Sequence, residues 1–455
     1  MLRRALLIVV FVLPAAACAT GSANLDARLS ATRDEHRVPG MSVVVMRGGD
    51  TVIARGYGHL EAGGERPVGA ATVFQLGSIS KQFLAALVMR LVEDGRLSLD
   101  DAVTMHLPEF TLLPAEVTVR RLLNHTSGMR ELFAQEVYRG GIEDLSRGPE
   151  ELARIARESP VDIAPGSRWS YTNTGYTTLA LLVERVTGQP YEHALAARLF
   201  TPLGLASIRQ CTPLPRDAHA GDEARGHVLG GGVVTVAAPE NMHWIRGDGG
   251  LCGSAVDLAR WTRLLHTGRV VSPASYAAMT APTTVSSGGV AAYGFGLSLI
   301  EPDARRKIAH GGAMLGYSAM AAWYPDDELT VVVLTNRGDA GADAIERRLA
   351  RRVLRLPEPA RAPVALPLAE RERLLGTYDI GVFDVVIADR DGDLWIESPR
   401  PGPTMKLTHV GSGRFIGADA PDSIEVVFGA NGIRLMMGAM RWDGVRRDTV
   451  LPTSR

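Results

Sequence analysis

Lysine is almost missing from this chain. Among 455 residues it occurs only at Lys81, Lys307 and Lys406, and every other member of the Lys+Arg total of 49 is arginine. The arginines as a set read as a compositional bias of the genome. They still single out each lysine, because a guanidinium stays charged at any workable pH, whereas a buried ammonium can lose its proton and act as a base. Cysteine is nearly as rare, with Cys18, Cys211 and Cys252 only. The chain has no C-x-x-C and no H-x-x-x-H spacing, so no metal site or other cofactor is expected. The near-balanced charge of −1 provides no basic field of the kind that nucleic acid binding requires. No apolar run is long enough to span a bilayer as a mature helix.

What is present begins with an export signal at residues 1–19. Met1-Leu2-Arg3-Arg4 is a basic start, residues 5–13 are an unbroken apolar core, and Ala15-Ala16-Ala17-Cys18 is a small-residue cleavage zone. Cys18 resembles the lipidated cysteine of bacterial lipoproteins, although Ala15 stands where leucine is usual. Ala17-Cys18-Ala19 would serve equally as a plain cleavage site for simple secretion. The expected location is the periplasm or cell envelope, with possible membrane anchoring through Cys18. An exported chain matures in an oxidising compartment, so Cys211 and Cys252 are either bridged or two buried free thiols.

Beyond the signal, residues 22–355 read as one α+β domain. Residues 41–46 and 51–58 are β-rich runs around Arg47-Gly48-Gly49-Asp50, a hairpin signal. Residues 317–324 and 329–335 form a second strand pair around Pro325-Asp326-Asp327. Strands at both ends with helices between predict one antiparallel sheet built from the two ends and packed by helices. Residues 78–93 are strongly helical and stop at Gly95, and 343–354 are an amphipathic helix with Asp343 as its N-cap. Residues 356–368, with Pro357, Pro359, Pro363 and Pro367, mark a stiff linker. Residues 369–455 carry short alternating runs punctuated by Asp391-Gly392 and Asn431-Gly432. They read as a small all-β domain, a lipocalin-like barrel or else a sandwich, with no catalytic constellation of its own.

The chemistry starts at Ser78-Ile79-Ser80-Lys81. On a helix the side chains of Ser78 and Lys81 share a face and can touch, and serine beside a neutralisable lysine is the makeup of an activated nucleophile. A helix start also disfavours the charged form of Lys81. In Tyr171-Thr172-Asn173, the tyrosine hydroxyl near a cationic lysine can have its pKa lowered and shuttle a proton, while Asn173 can bridge Lys81 and a substrate carbonyl. In His310-Gly311-Gly312-Ala313, small residues allow a strand edge to approach a substrate, and a backbone N–H there would complete an oxyanion hole with that of Ser78.

These three elements, in this order, make the chain similar to the class C β-lactamase-like serine hydrolases of the penicillin-binding-protein/β-lactamase superfamily. That group includes esterases, D-aminopeptidases and D-alanyl-D-alanine carboxypeptidases. The flanks 95–101 (GRLSLDD), 122–129 (LLNHTSGM), 249–258 (GGLCGSAVDL) and 293–296 (YGFG) also resemble family signatures, and the likeness spans roughly residues 25–354. The resemblance implies Ser78 as nucleophile, Lys81 as its activating partner and Tyr171 as general base. It implies substrate binding by Asn173 and the His310, Gly312 and Ala313 strand, with Ala313 N–H in the oxyanion hole.

Many family members open the third motif with a lysine that holds a substrate carboxylate. Here it opens with His310, whose ordinary pKa of about 6.5 gives at most partial charge at neutral pH. Lys307 could compensate, but on a strand it points to the other face. The expected function is therefore an esterase or D-amino-acid peptidase or amidase acting on small esters, amides or D-amino-acid-containing substrates. The alternatives are a β-lactamase or carboxypeptidase of the same family, or a non-catalytic binding protein that retains the fold. Some residues invite blander readings: His125 as a loop brace, Asp100-Asp101 as turn and cap residues, and His310 as packing. His243 and Trp244 are candidates for the cleft wall, and residues 131–161 read as specificity loops.

Overall fold

The strands GMSVVVMR and LTVVVLT are apolar along nearly their whole length, which only a strand covered on both faces tolerates. The computed structural model describes residues 16–212, 221–286, 288–380, 384–397, 404–419, 423–429, 432–438 and 440–447, and it places these two strands at the centre of a six-stranded sheet. The strands are β1 (Gly40–Arg47), β2 (Asp50–Gly58), β3 (Ser298–Ile300), β4 (Lys307–Met314), β5 (Tyr317–Tyr324) and β6 (Leu329–Thr335). Their order is β3-β4-β5-β6-β1-β2, antiparallel throughout, so the two ends of the segment meet where β1 pairs β6 with Val44 opposite Val332.

Helices α1 (Ala16–Glu35) and α5 (Ala342–Val353) cover one face, packing Leu29, Ile345 and Leu349 on Val43, Val45 and Val331. The other face carries α2 (Ser80–Glu93), α3 (Asn173–Thr187) and α4 (Ala255–His266), whose Phe83, Leu179 and Trp261 share a cluster with Val44 and Val332. Neighbouring residues of β1 alternate between the two clusters, as the strand period of two requires.

Asp343 does not cap α5: Gly341, at φ +69°, holds the cap position with no side-chain bond, and Asp343 lies in the first turn. Residues 131–161 are not open loops, since they contain helices Glu136–Glu143 and Pro149–Glu158. Asp101 accepts from Ser98 N at 2.8 Å and Asp100 pairs with Arg120 at 2.9 Å, the turn roles read for them. Cys211 and Cys252 form a disulfide with Cα atoms 5.1 Å apart, tying Arg209–Gln210 to the neighbouring strand Leu251–Ser254.

After an irregular proline-rich stretch and a short helix (Leu368–Leu374), eight antiparallel strands close into a barrel running from β7 (Gly376–Asp379) to β14 (Met440–Arg446). Leu394, Phe415, Val426 and Leu435 fill its interior. Asp391 and Gly392 both have positive φ, +54° and +88°, as a tight hairpin turn demands. Asn431 and the leader through Ala15 lie outside the described residues. Among those described, no helix is long and apolar enough to cross a membrane, and no cluster of His, Cys, Asp or Glu could hold a metal ion.

Candidate active site

Ser78 sits in a 3-10 turn, Gly77–Ile79, that leads into α2, rather than in the α-helix itself. The tight turn follows from close packing: Gly77 has φ +53°, and a Cβ on it would come within 2.8 Å of Ala313 N. A Cβ on Gly312 would come within 1.9 Å of the Leu76 carbonyl oxygen. Only glycine at both positions lets β4 lie against the nucleophile turn, as an oxyanion hole made of the Ala313 and Ser78 N–H groups would require.

Lys81 is fully buried and donates to Ser78 Oγ at 3.1 Å, Asn173 Oδ1 at 2.8 Å and the Asp248 carbonyl at 2.6 Å. Burial lowers its pKa below the ordinary lysine value, opposed by the nearby Asp248 and Glu131 carboxylates. Asn173 is held in turn by Glu131, which accepts from its N at 2.6 Å and its Nδ2 at 2.8 Å. The Tyr171 ring lies 4.8 Å from Lys81 Nζ, and Tyr171 shares the wall of the same cavity with Ser78. Its pKa is not lowered, as the sequence had led us to expect. Burial raises it well above the usual tyrosine value, and the neighbouring Ser78 hydroxyl offsets this only in part.

His310 is buried on the sheet face that looks toward Ser78, and burial drives its pKa down to about 3, helped by the charge of Lys81. A chain of hydrogen bonds explains the same state. Thr172 N–H donates to His125 Nδ1 at 3.2 Å, which leaves His125 Nε2–H to donate to Tyr293 Oη at 3.3 Å. Tyr293 O–H then donates to His310 Nε2 at 2.9 Å, and His310 Nδ1–H donates to the Gly311 carbonyl at 2.6 Å. Every proton in the chain is placed when both imidazoles are neutral. His125, at φ +59°, is thus a brace for the Tyr171 loop. Lys307 faces the opposite side of the sheet, where its Nζ pairs with Glu346 and lies far from compensating His310.

These groups open on a cavity of about 510 Å³ walled by Ser78, Trp169, Tyr171, His310, Met320 and residues of the barrel. The sequence showed no catalytic constellation in the barrel, and the barrel contributes wall residues to this cavity. Met440 and Trp442 of β14 pack on Trp169, Tyr171 and Tyr293. Trp244 does not line this cavity. It is fully buried against Leu132, Tyr138 and Leu152, with Nε1 donating to the Gly148 carbonyl at 3.1 Å, and His243 is exposed outside.

A model of the family described as Beta-lactamase matches residues 25–355. The chain belongs to the beta-lactamase family. It is a serine hydrolase, and its matches extend beyond the catalytic domain. A D-aminopeptidase of Brucella melitensis biotype 2 is 28% identical over 433 residues, covering 92% of this chain and 76% of that one. The octameric penicillin-binding protein homologue from Pyrococcus abyssi superposes with a TM-score of 0.66 at 25% identity, over 92% of this chain and 99% of that one. SurE solved with D-Leu gives a TM-score of 0.61 at 26% identity, over 94% of this chain and all of its own.

The sequence reading missed Glu131, Asp248 and Tyr293 as parts of the site. Tyr293 opens the YGFG flank and Asp248 immediately precedes Gly249-Gly250, so each stood beside a signature without being read as chemistry.

Proposed function

We propose that this family member hydrolyses amides, peptides or esters of D-configured amino acids through an acyl-enzyme on Ser78. The observation that carries the reading is a fully buried Lys81 within hydrogen-bonding distance of both Ser78 and Asn173. In its neutral form Lys81 takes the Ser78 hydroxyl proton as Oγ attacks the substrate carbonyl carbon. The oxyanion formed is held by the N–H groups of Ser78 and Ala313. Tyr171, kept protonated by burial, is placed to donate to the leaving nitrogen or oxygen as the bond to carbon breaks. Water then attacks the ester on Ser78 with the same groups acting in reverse.

The D-configured class is supported by the D-aminopeptidase relative and by the SurE neighbour solved with D-Leu. A neutral His310, with Lys307 turned away, disfavours substrates that need a fixed cation for a carboxylate, and so disfavours β-lactams. The test sets D-amino-acid p-nitroanilides, p-nitrophenyl esters and nitrocefin side by side, together with labelling by a fluorophosphonate. Turnover of the first two above nitrocefin and labelling lost in Ser78→Ala are expected. Labelling retained in that variant would overturn the serine assignment, and nitrocefin as the best substrate would overturn the substrate ranking.

The same reading includes export to the cell envelope. It is supported by the leader at residues 1–19 and by the Cys211–Cys252 disulfide, which forms in oxidising compartments. Palmitate incorporation that disappears in Cys18→Ser is the expected result for a lipid-anchored form. A soluble mature protein beginning after Cys18 would rule the anchor out.

A further inference from the structure

The cavity beside Ser78 is shared between the catalytic domain and the barrel, and the barrel supplies much of its accessible apolar surface. Of the large apolar side chains on the described wall, Trp169 and Met320 are buried, so those with surface to offer a substrate are Tyr171, Met440 and Trp442. Tyr171 belongs to the proton-transfer set, which leaves two barrel side chains that face the site and do no chemistry. The strand that carries them is sorted by face. Met440 and Trp442 sit two residues apart on the side of β14 turned to the cavity, whereas Arg441 and Asp443 fall on the other side, as a period of two requires. There Arg441 pairs with Asp443 at 2.7 Å and with Glu301 at 3.6 Å. Both wall residues are also held in place. Trp442 lies opposite Leu435 of β13 (Gly432–Met437) and packs on the barrel core, and Met440 Sδ accepts from Ser298 Oγ at 3.4 Å. The described wall has no lysine or arginine, and its one carboxylate, Asp343, has its Oδ2 buried.

We propose that Met440 and Trp442 are specificity residues through which the barrel selects a large apolar side chain on the acyl part of the substrate. The proposal rests on the Ser78 acyl-enzyme reading and adds to it the class of side chain, whatever the configuration of the carbon that carries it. Apolar surface taken out of water against an indole ring and a thioether is the attraction this wall can give. A side-chain carboxylate would lose water there with no cation in the wall to meet it. The acyl part is the one that stays on Ser78 through both steps. Contacts made to it therefore act on acylation and deacylation alike, whereas the leaving part has to depart.

The experiment keeps the leaving group constant and varies the acyl group, with kcat/KM measured for p-nitrophenyl acetate, 4-methylpentanoate, 3-phenylpropanoate, hemisuccinate and 6-aminohexanoate. Native protein is expected to favour the 4-methylpentanoyl and 3-phenylpropanoyl esters over the acetyl ester by about tenfold or more, as burial of one apolar side chain would. The two charged esters are expected to fall below them. Trp442→Ala removes the ring and should reduce the preference for the phenyl ester severalfold. Because Trp442 also packs on the barrel core, a second variant reads a gain instead of a loss. Met440→Lys puts a cation in the wall and should raise the hemisuccinate relative to the 4-methylpentanoate by about tenfold. Fluorophosphonate labelling of each protein reports that the nucleophile persists. A flat acyl preference in native protein, or a charged ester as its best substrate, would overturn the proposal while leaving the serine reading intact. Selectivity unchanged in both variants would do the same. Absence of labelling in native protein would instead overturn the serine reading.

Discussion

Lys81→Arg is expected to lose acylation about as fully as Lys81→Ala, on the order of 10²–10⁴-fold in kcat/KM. Arginine preserves charge and approximate reach but cannot surrender its proton at any working pH. The site also has no room for a wider head, since Lys81 is fully buried with three partners within 3.1 Å. The pH profile tests the same role. Only neutral Lys81 accepts the Ser78 proton, so kcat/KM should climb as pH rises through the Lys81 pKa, below the range of an exposed lysine because burial penalises the ammonium. The negative charge of Asp248 works the other way and raises that pKa, so Asp248→Asn should move the rising limb to lower pH. Substantial acylation by the arginine variant would make Lys81 a fixed cation. A limb that stays put in Asp248→Asn would remove Asp248 from the account.

The second large effect concerns stability. Lys307 and Glu346 form an ion pair with both side chains fully covered, and Tyr324 donates to the other oxygen of Glu346 at 2.8 Å. Glu346→Gln leaves the Lys307 ammonium buried without its counter-charge. It should cost about 3–5 kcal/mol, the range found when one partner of a buried pair is removed. The double change Lys307→Met with Glu346→Leu replaces both charges by apolar groups and should recover most of that loss. Denaturant unfolding followed by tryptophan fluorescence reads both. A Glu346→Gln midpoint equal to native would mean that water reaches the pair and that it contributes little.

Much of the catalytic domain was legible because its signals are local. The predicted strand spans 317–324 and 329–335 coincide with β5 and β6, and the Gly48-Gly49 turn sits between β1 and β2. Their hydrophobic runs and turn residues carry that information without help from distant parts of the chain. Ser78 and Lys81 were readable for the same reason, since three residues of helical spacing bring them together. The assignment of Asp343 as an N-cap failed because Gly341, in the left-handed region, holds the cap position of α5 and puts Asp343 inside the first turn. Trp244 failed because a conspicuous aromatic in a loop segment carries no mark of whether it faces a cleft or a satellite core.

By itself the sequence determined the order of elements, the serine–lysine pair, the tyrosine–asparagine motif and a barrel-like second domain, because each rests on spacing within one segment. Tertiary structure alone decided the electrostatics. Burial raises the Tyr171 pKa against the expectation of a lowered one and holds His310 neutral, and burial depends on the packing of segments far apart in the chain. It also decided that Cys211 and Cys252 are bridged and that Lys307 serves the opposite face of the sheet. The wall of the site is the clearest case. Met440 and Trp442 stand more than 260 residues from Tyr171, and no periodicity connects two domains until their surfaces dock and exclude water between them.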